Sequence, residues 1–296
     1  NSRQSRGYQF WVSNYCFFCI ITQKGVLNEK LALKKLLTYM KSVYKIPQKI
    51  KCLTDERKRK SIPLFNIVMP VLLFLMLQYE SFHTIFSAPE SMSKRLKNCI
   101  SGRIPKVDAV RDLLSRINPD EIRSIHEEMI DIIKRNRVFR EGTIGGYVVA
   151  GLDGVELFSS TKKSCPNCLS RKKHTGETEY FYRSVVCMII GKSPHVILGQ
   201  EMLKPRDGSG KDEGELTGGK RLIERLKKRH GHFADVIVAD ALYLNAPFIN
   251  TLKENGLEGV IRLKDERRMI FQDAERLFKQ DEGKKASFWK GKKKIE

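Results

Sequence analysis

The period of the apolar pattern changes at Gly145-Gly146, and that change divides the chain into two kinds of structure. Before it, Leu31, Leu33, Leu36, Leu37, Met40 and Val43 recur at helical spacing with lysines between them, which predicts an amphipathic helix over residues 26–46. A helical pair is expected at about 106–117 and 119–136, with Pro119 and Asp120 marking the second start. Residues 26–144 therefore read as an all-helical region whose role is packing, and residues 1–25 stay unassigned. After the glycine pair come β-rich runs at 147–152, 155–158, 180–190 and 195–199. They are followed by a helix at 215–228, a strand at 235–239, a helix at 246–254, a strand at 259–263 and a helical stretch at 269–279. These β-runs, then helix, strand, helix, strand, predict an α+β (α/β) domain over 145–296, a mixed sheet flanked by helices.

The run from Ile62 to Leu77 is almost wholly apolar and invites a second reading, a membrane protein anchored through residues 62–77. Pro63 and Pro70 interrupt it, Asn66 sits inside it, and it falls short of the roughly 20 residues a span needs, so a buried helix is expected and no membrane partner. The 55 Lys+Arg against 34 Asp+Glu leave a net charge of +21, which points to a polyanionic partner, nucleic acid before an acidic membrane surface. The seven cysteines are an odd count, and Cys16/Cys19 and Cys165/Cys168 are spaced CxxC. That usage suits reduced thiols or metal rather than a secreted disulfide framework, hence a cytoplasmic address. Beginning Asn1-Ser2 and stopping at Lys294-Ile295-Glu296, the sequence is expected to be a piece of a longer reading frame.

Two carboxylates stand where chemistry is feasible. Asp153 follows the apolar run Val148–Leu152 and Asp240 follows Val236–Ala239, so each is expected at a strand's end, fixed by the sheet yet open to solvent. Two such carboxylates on adjacent strands suit a divalent ion and phosphoryl chemistry. The bland alternative is that Asp153-Gly154 is a hairpin turn and Asp240 a helix cap. Cys165 and Cys168 have the spacing of half a zinc site, with His174 or Cys187 as further ligands, and two reduced thiols are the equal alternative. Lys162, Lys163, Arg171, Lys172 and Lys173, extended by Lys204, Arg206 and Lys211, could track DNA phosphates. The lysines 284, 285, 290 and 292–294 with Trp289 form another basic patch, for which simple solvation is the alternative.

A resemblance joins these features. Asp153-Gly154-Val155-Glu156-Leu157-Phe158-Ser159-Ser160 resembles the first-aspartate block of bacterial insertion-sequence DDE transposases, and Asp240-Ala241-Leu242-Tyr243-Leu244-Asn245-Ala246-Pro247 resembles the second. Arg262-Leu263-Lys264, Cys165-Pro166-Asn167-Cys168-Leu169, Lys211-Asp212-Glu213-Gly214-Glu215 and, upstream, Gly102-Arg103-Ile104-Pro105-Lys106-Val107-Asp108 are similar to further family elements in the same order, from about residue 60 onward. The resemblance implies an RNase H-like core and a DNA cleavage and strand-transfer enzyme using Mg²⁺ or Mn²⁺. Asp153 and Asp240 would be its first two metal-holding residues, the third glutamate would lie beyond residue 296, and activity of this stretch alone would be impaired. It implies DNA partners at transposon ends and target, contacted by the basic residues above and by Lys264. Homo-oligomerisation, a place at the bacterial nucleoid and a possible Zn²⁺ on Cys165, Cys168 and His174 complete the expectation. Two departures, Arg183 where relatives often have His and Gly218-Gly219 where helix formers are expected, suggest a decayed copy, and a non-catalytic DNA-binding relic is the alternative.

Overall fold

The computed structural model describes residues 29–76, 105–141, 143–191, 195–206, 211–264, 269–280, 288–290 and 293–295. Residues 1–25 with Cys16/Cys19, the segment Gly102-Arg103-Ile104, and Lys284, Lys285 and Lys292 lie outside them. The chain divides into two compact units, Asn1–Asn136 and Arg137–Glu296.

The described part of the first unit is helical: α1 (Glu29–Ser42), α2 (Ile46–Lys51), α3 (Phe65–Met76), α4 (Val107–Leu114) and α5 (Pro119–Arg135). The apolar run is α3, and its composition follows from position, for Ile67, Met69, Pro70, Val71, Leu73 and Phe74 are all buried. They pack in one cluster with Leu36 and Met40 of α1, Ile46 and Ile50 of α2, and Val110 and Leu113 of α4. Each such side chain removed from water stabilises the unit by about 1.5–3 kcal/mol before entropy is subtracted. Among the described residues no helix is long and apolar enough to cross a membrane. The basic stretch before α3 turns one member inward: Arg57 is 4% exposed, bonded to Asp55 at 2.9 and 2.7 Å and donating to the Ile62 carbonyl at 2.7 Å. The α5 start is set as its sequence suggests, with Pro119 in the first turn and the Asn118 side chain accepting the Asp120 N–H at 2.9 Å.

The second unit begins with the short helix α6 (Val138–Glu141), so the change of unit precedes the glycine pair. Then come β1 (Val149–Ser160), β2 (Leu169–Lys172), β3 (Thr178–Ile190), β4 (Val196–Met202), α7 (Glu215–His230), β5 (Val236–Ala239), α8 (Ala246–Glu254), β6 (Glu258–Ile261) and α9 (Met269–Gln280). A short hairpin, β7 (Phe288–Lys290) with β8 (Lys293–Ile295), follows. The sheet runs β2-β3-β1-β5-β6, with β4 also on β3. β1, β2, β3 and β4 pair antiparallel, while β1-β5 and β5-β6 are parallel, so the unit is α+β with a mixed sheet.

β1 corrects the sequence reading. The two expected runs are one strand that passes straight through Asp153-Gly154, paired with β3 from Val149↔Ile190 to Ser160↔Tyr180 with one shift between Glu156 and Phe158. Asp153-Gly154 is therefore neither a hairpin turn nor a strand end. The polar strand β2 was not expected.

α7 lies against β3 and β4 through Gly218, Gly219, Leu222, Ile223 and Leu226. A Cβ on Gly218 would collide with Leu203, and one on Gly219 would stand 2.9 Å from the Tyr243 ring. The two glycines thus let the helix settle close to the sheet, and their presence needs no decay to explain it.

Candidate active site of three carboxylates

The parallel register of β1 and β5 ends at Leu152↔Ala239, so Asp153 and Asp240 are the next residues on neighbouring strands. Adjacent strands lie about 4.8 Å apart, which brings the two carboxyls side by side. Asp153 accepts the Gly154 N–H at 2.8 Å. Asp240 accepts the Leu242 N–H at 2.9 Å and so caps the single 3₁₀ turn Ala241–Tyr243. The cap reading of Asp240 is thus correct in geometry and compatible with a second role. Both side chains reach solvent. Even so, partial burial of the Asp153 carboxyl raises it above the usual aspartate range, and Asp240's charge adds to this while the Gly154 N–H and Arg183 oppose it.

Sequence reasoning missed the third carboxylate of the cluster. Glu215 stands in the first turn of α7, and its carboxyl fills the space above Gly154 that a Cβ there would occupy. Burial raises Glu215, Arg183 opposes, and the charges of Asp153 and Asp240 raise it further. The sequence marked it only as the end of the Lys211-Asp212-Glu213-Gly214-Glu215 element, without a role, and through the glycines at 154, 218 and 219, which permit this approach. Arg183, opposite Glu156 in the β1-β3 register, donates to Glu215 at 3.0 Å and to Glu156 at 3.3 Å. Tyr243 lies under the cluster at 0% exposure, its ring 5.0 Å from Phe248 and its hydroxyl without a hydrogen-bond partner. Burial raises this phenol, and the charges of Glu215, Asp153 and Asp240 all add to the effect. Among the described residues, no three His, Cys, Asp or Glu side chains as they stand are gathered closely enough to hold a metal ion. Glu215 is turned to Arg183.

The cysteine pair is formed, with Cys165 and Cys168 Sγ atoms 2.8 Å apart and Cys165 2.6 Å from the Tyr182 hydroxyl. Those two contacts lower the Cys165 thiol, whereas Cys168 is raised. His174 sits exposed in the β2-β3 turn and is not gathered with the pair into a metal-holding group. Cys187 is wholly buried in β3, its thiol pushed up to about 12, which keeps it protonated and inert.

Of the basic residues, Lys162, Lys163, Lys172, Lys211 and Lys264 are exposed. Arg171 and Lys173 are already engaged: Arg171 binds Glu156 at 2.9 and 3.1 Å and Glu179 at 2.7 Å, and Lys173 binds Glu179 at 3.0 Å. These two are less available to phosphates than their sequence position suggests. A scan of known protein families found no match for the chain, and neither curated proteins nor solved structures gave one.

Proposed function

We propose that the chain is part of a metal-dependent DNA strand-transfer enzyme, a transposase of the DDE type with an RNase H-like core, acting on DNA in the bacterial cytoplasm. The observation that carries this reading is the placement of Asp153 and Asp240 as consecutive neighbours at the end of the parallel β1-β5 register. The sheet order β4-β3-β1-β5-β6, three antiparallel strands followed by two parallel ones, supports the RNase H-like assignment.

The residues fit a hard divalent cation. Carboxylate oxygens are the donors Mg²⁺ and Mn²⁺ prefer. The surplus of negative charge around Asp153 and the unpartnered Tyr243 hydroxyl are what an oxygen-ligated, hydrated ion would relieve. Asp153 and Asp240 would hold it, and when bound it supplies Lewis-acid stabilisation of charge on a phosphate. The Gly154 N–H and the Leu242 N–H fix the two carboxyls in place, so that little ordering remains to be done on binding. Lys162, Lys163, Lys172, Lys211 and Lys264 would contact phosphates, positioning DNA without reading its bases. Cys165 and Cys168 would serve as two zinc ligands, a site that zinc analysis of a Cys165→Ser variant tests.

The test is cleavage of DNA carrying the element's ends by the full reading frame with Mg²⁺ or Mn²⁺, beside Asp153→Ala and Asp240→Ala. Loss of activity in both variants is expected. Salt-dependent DNA binding without metal-dependent cleavage would instead favour the non-catalytic relic, to which the +21 charge alone would be sufficient.

A further inference from the structure

We propose that Glu215 is a third protein ligand of the divalent ion held by Asp153 and Asp240, an inference that rests on the metal-dependent reading above. Its position is a product of packing. Gly218 and Gly219 bring α7 down onto Leu203, Val185, Leu152 and Tyr243, and Gly154 leaves the opening on β1 that the Glu215 carboxyl enters. A side chain at any of the three would push the helix start away from Asp153. The site therefore contains three carboxylates, one within β1, one on the residue that follows β5 and one in the first turn of α7.

Two further observations point to a cation there. Among the described residues, Arg183 is the guanidinium that faces Asp153 and Glu215, one positive charge beside the three carboxylates. The fully buried Tyr243 hydroxyl, in the field of all three carboxylates, has no hydrogen-bond partner among the described residues. A buried hydroxyl is rarely left so, and water carried by an ion at this point would satisfy it. Arg183 then holds the ion's electrostatic place: when the cation enters, Glu215 turns from Arg183 toward it, and Arg183 keeps its contact with Glu156. Two aspartates alone leave a six-coordinate ion dependent mostly on water, whereas a third carboxylate in the same unit lets residues 1–296 bind metal without the glutamate expected downstream.

The experiment is Mn²⁺ binding to the chain of residues 1–296, read from the loss of the free Mn²⁺ electron paramagnetic resonance signal. Asp153→Asn, Asp240→Asn, Glu215→Gln, Glu215→Asp and Arg183→Gln are compared, with circular dichroism to confirm folding. Expected are binding by the parent chain, at least tenfold weaker binding for Glu215→Gln, comparable to the aspartate variants, and intermediate binding for Glu215→Asp. Removing the competing charge in Arg183→Gln should tighten binding severalfold. Parent-like affinity in Glu215→Gln, with Asp153→Asn and Asp240→Asn weakened, overturns the role of Glu215 and leaves the two-aspartate site standing. Absence of Mn²⁺ binding by the parent chain overturns both. Should Glu215→Gln fail to fold, unchanged affinity in Arg183→Gln overturns the proposal by itself.

Discussion

Glu213 and Glu215 are two residues apart where the chain enters α7, yet one belongs to a charge-balanced cluster and the other to a negative one. Glu213 has a side chain 3% exposed and accepts the Lys204 N–H at 2.8 Å and Arg221 at 3.0 Å. Arg221 also binds Glu201 at 2.8 Å and the Met202 carbonyl at 3.0 Å, and Arg225 joins Glu201 at 3.3 Å. Two carboxylates there meet two guanidiniums. Burial works against Glu213, but Arg221 and the Lys204 N–H hold its carboxyl below the usual glutamate range. Glu215, with Asp153 and Asp240, has Arg183 alone among the described residues and is held above that range, chiefly by burial. The first cluster is closed and fastens β4 to α7. The second retains a negative surplus that packing alone does not require, and the metal proposal rests on that surplus.

The closed cluster should be the more fragile under mutation. Arg221→Met would strand the buried Glu213 carboxylate, and a stability loss of about 3 kcal/mol in urea unfolding is expected, the low end for a broken buried pair because Arg221 is partly exposed. A loss well below 1 kcal/mol would mean that water already screens the cluster, and the contrast would break. Gly219→Ala should come next. It forces a methyl to 2.9 Å from the Tyr243 ring, an overpacking cost of about 1–3 kcal/mol. The better helix propensity of alanine offsets about 1 kcal/mol of that. A net gain in melting temperature would show that the helix can retreat from the sheet, and that Glu215 is not held where it stands.

How much of this was legible depended on whether the cause was local. The limits of α8 could be read because Asn245 caps the Phe248 N–H at 2.9 Å and Pro247 sits in the first turn. The aspartates were legible because each follows an apolar run that the sheet buries. Local chemistry misled at Asp153-Gly154, a strong turn signal that pairing with β3 on one side and β5 on the other overrides. β2 escaped because Leu169 is its single apolar residue, and β3 holds the remainder extended. That strand also explains His174: four extended residues span about 13 Å, enough to carry the histidine away from Cys168. Arg171 and Lys173 looked free in a basic run because Glu156 and Glu179 come from strands the sequence does not place beside them. Glu215 was hidden for the same reason. Its place follows from three glycines that, read locally, look like helix and strand defects.

The gentlest probe is acid, and it should separate the two glutamates by sign. In metal-free buffer, Glu213 has a folded-state carboxyl below its ordinary value of 4.5, so its contribution is present above that value and is lost as the pH falls through the folded one. The stability advantage of the parent chain over Glu213→Gln should therefore shrink on acidification. Glu215 is raised above the same ordinary value, so its contribution is fully present below 4.5 and is lost as the pH rises through the folded value. The parent chain should accordingly improve relative to Glu215→Gln on acidification. Urea midpoints of the three proteins give the two slopes when followed from neutral pH to below 4.5, the Glu215 change falling above that value and the Glu213 change below it. Slopes of a common sign would mean that Arg183 neutralises Glu215 as fully as Arg221 neutralises Glu213. The negative surplus around Asp153 would then be too small to draw in a cation.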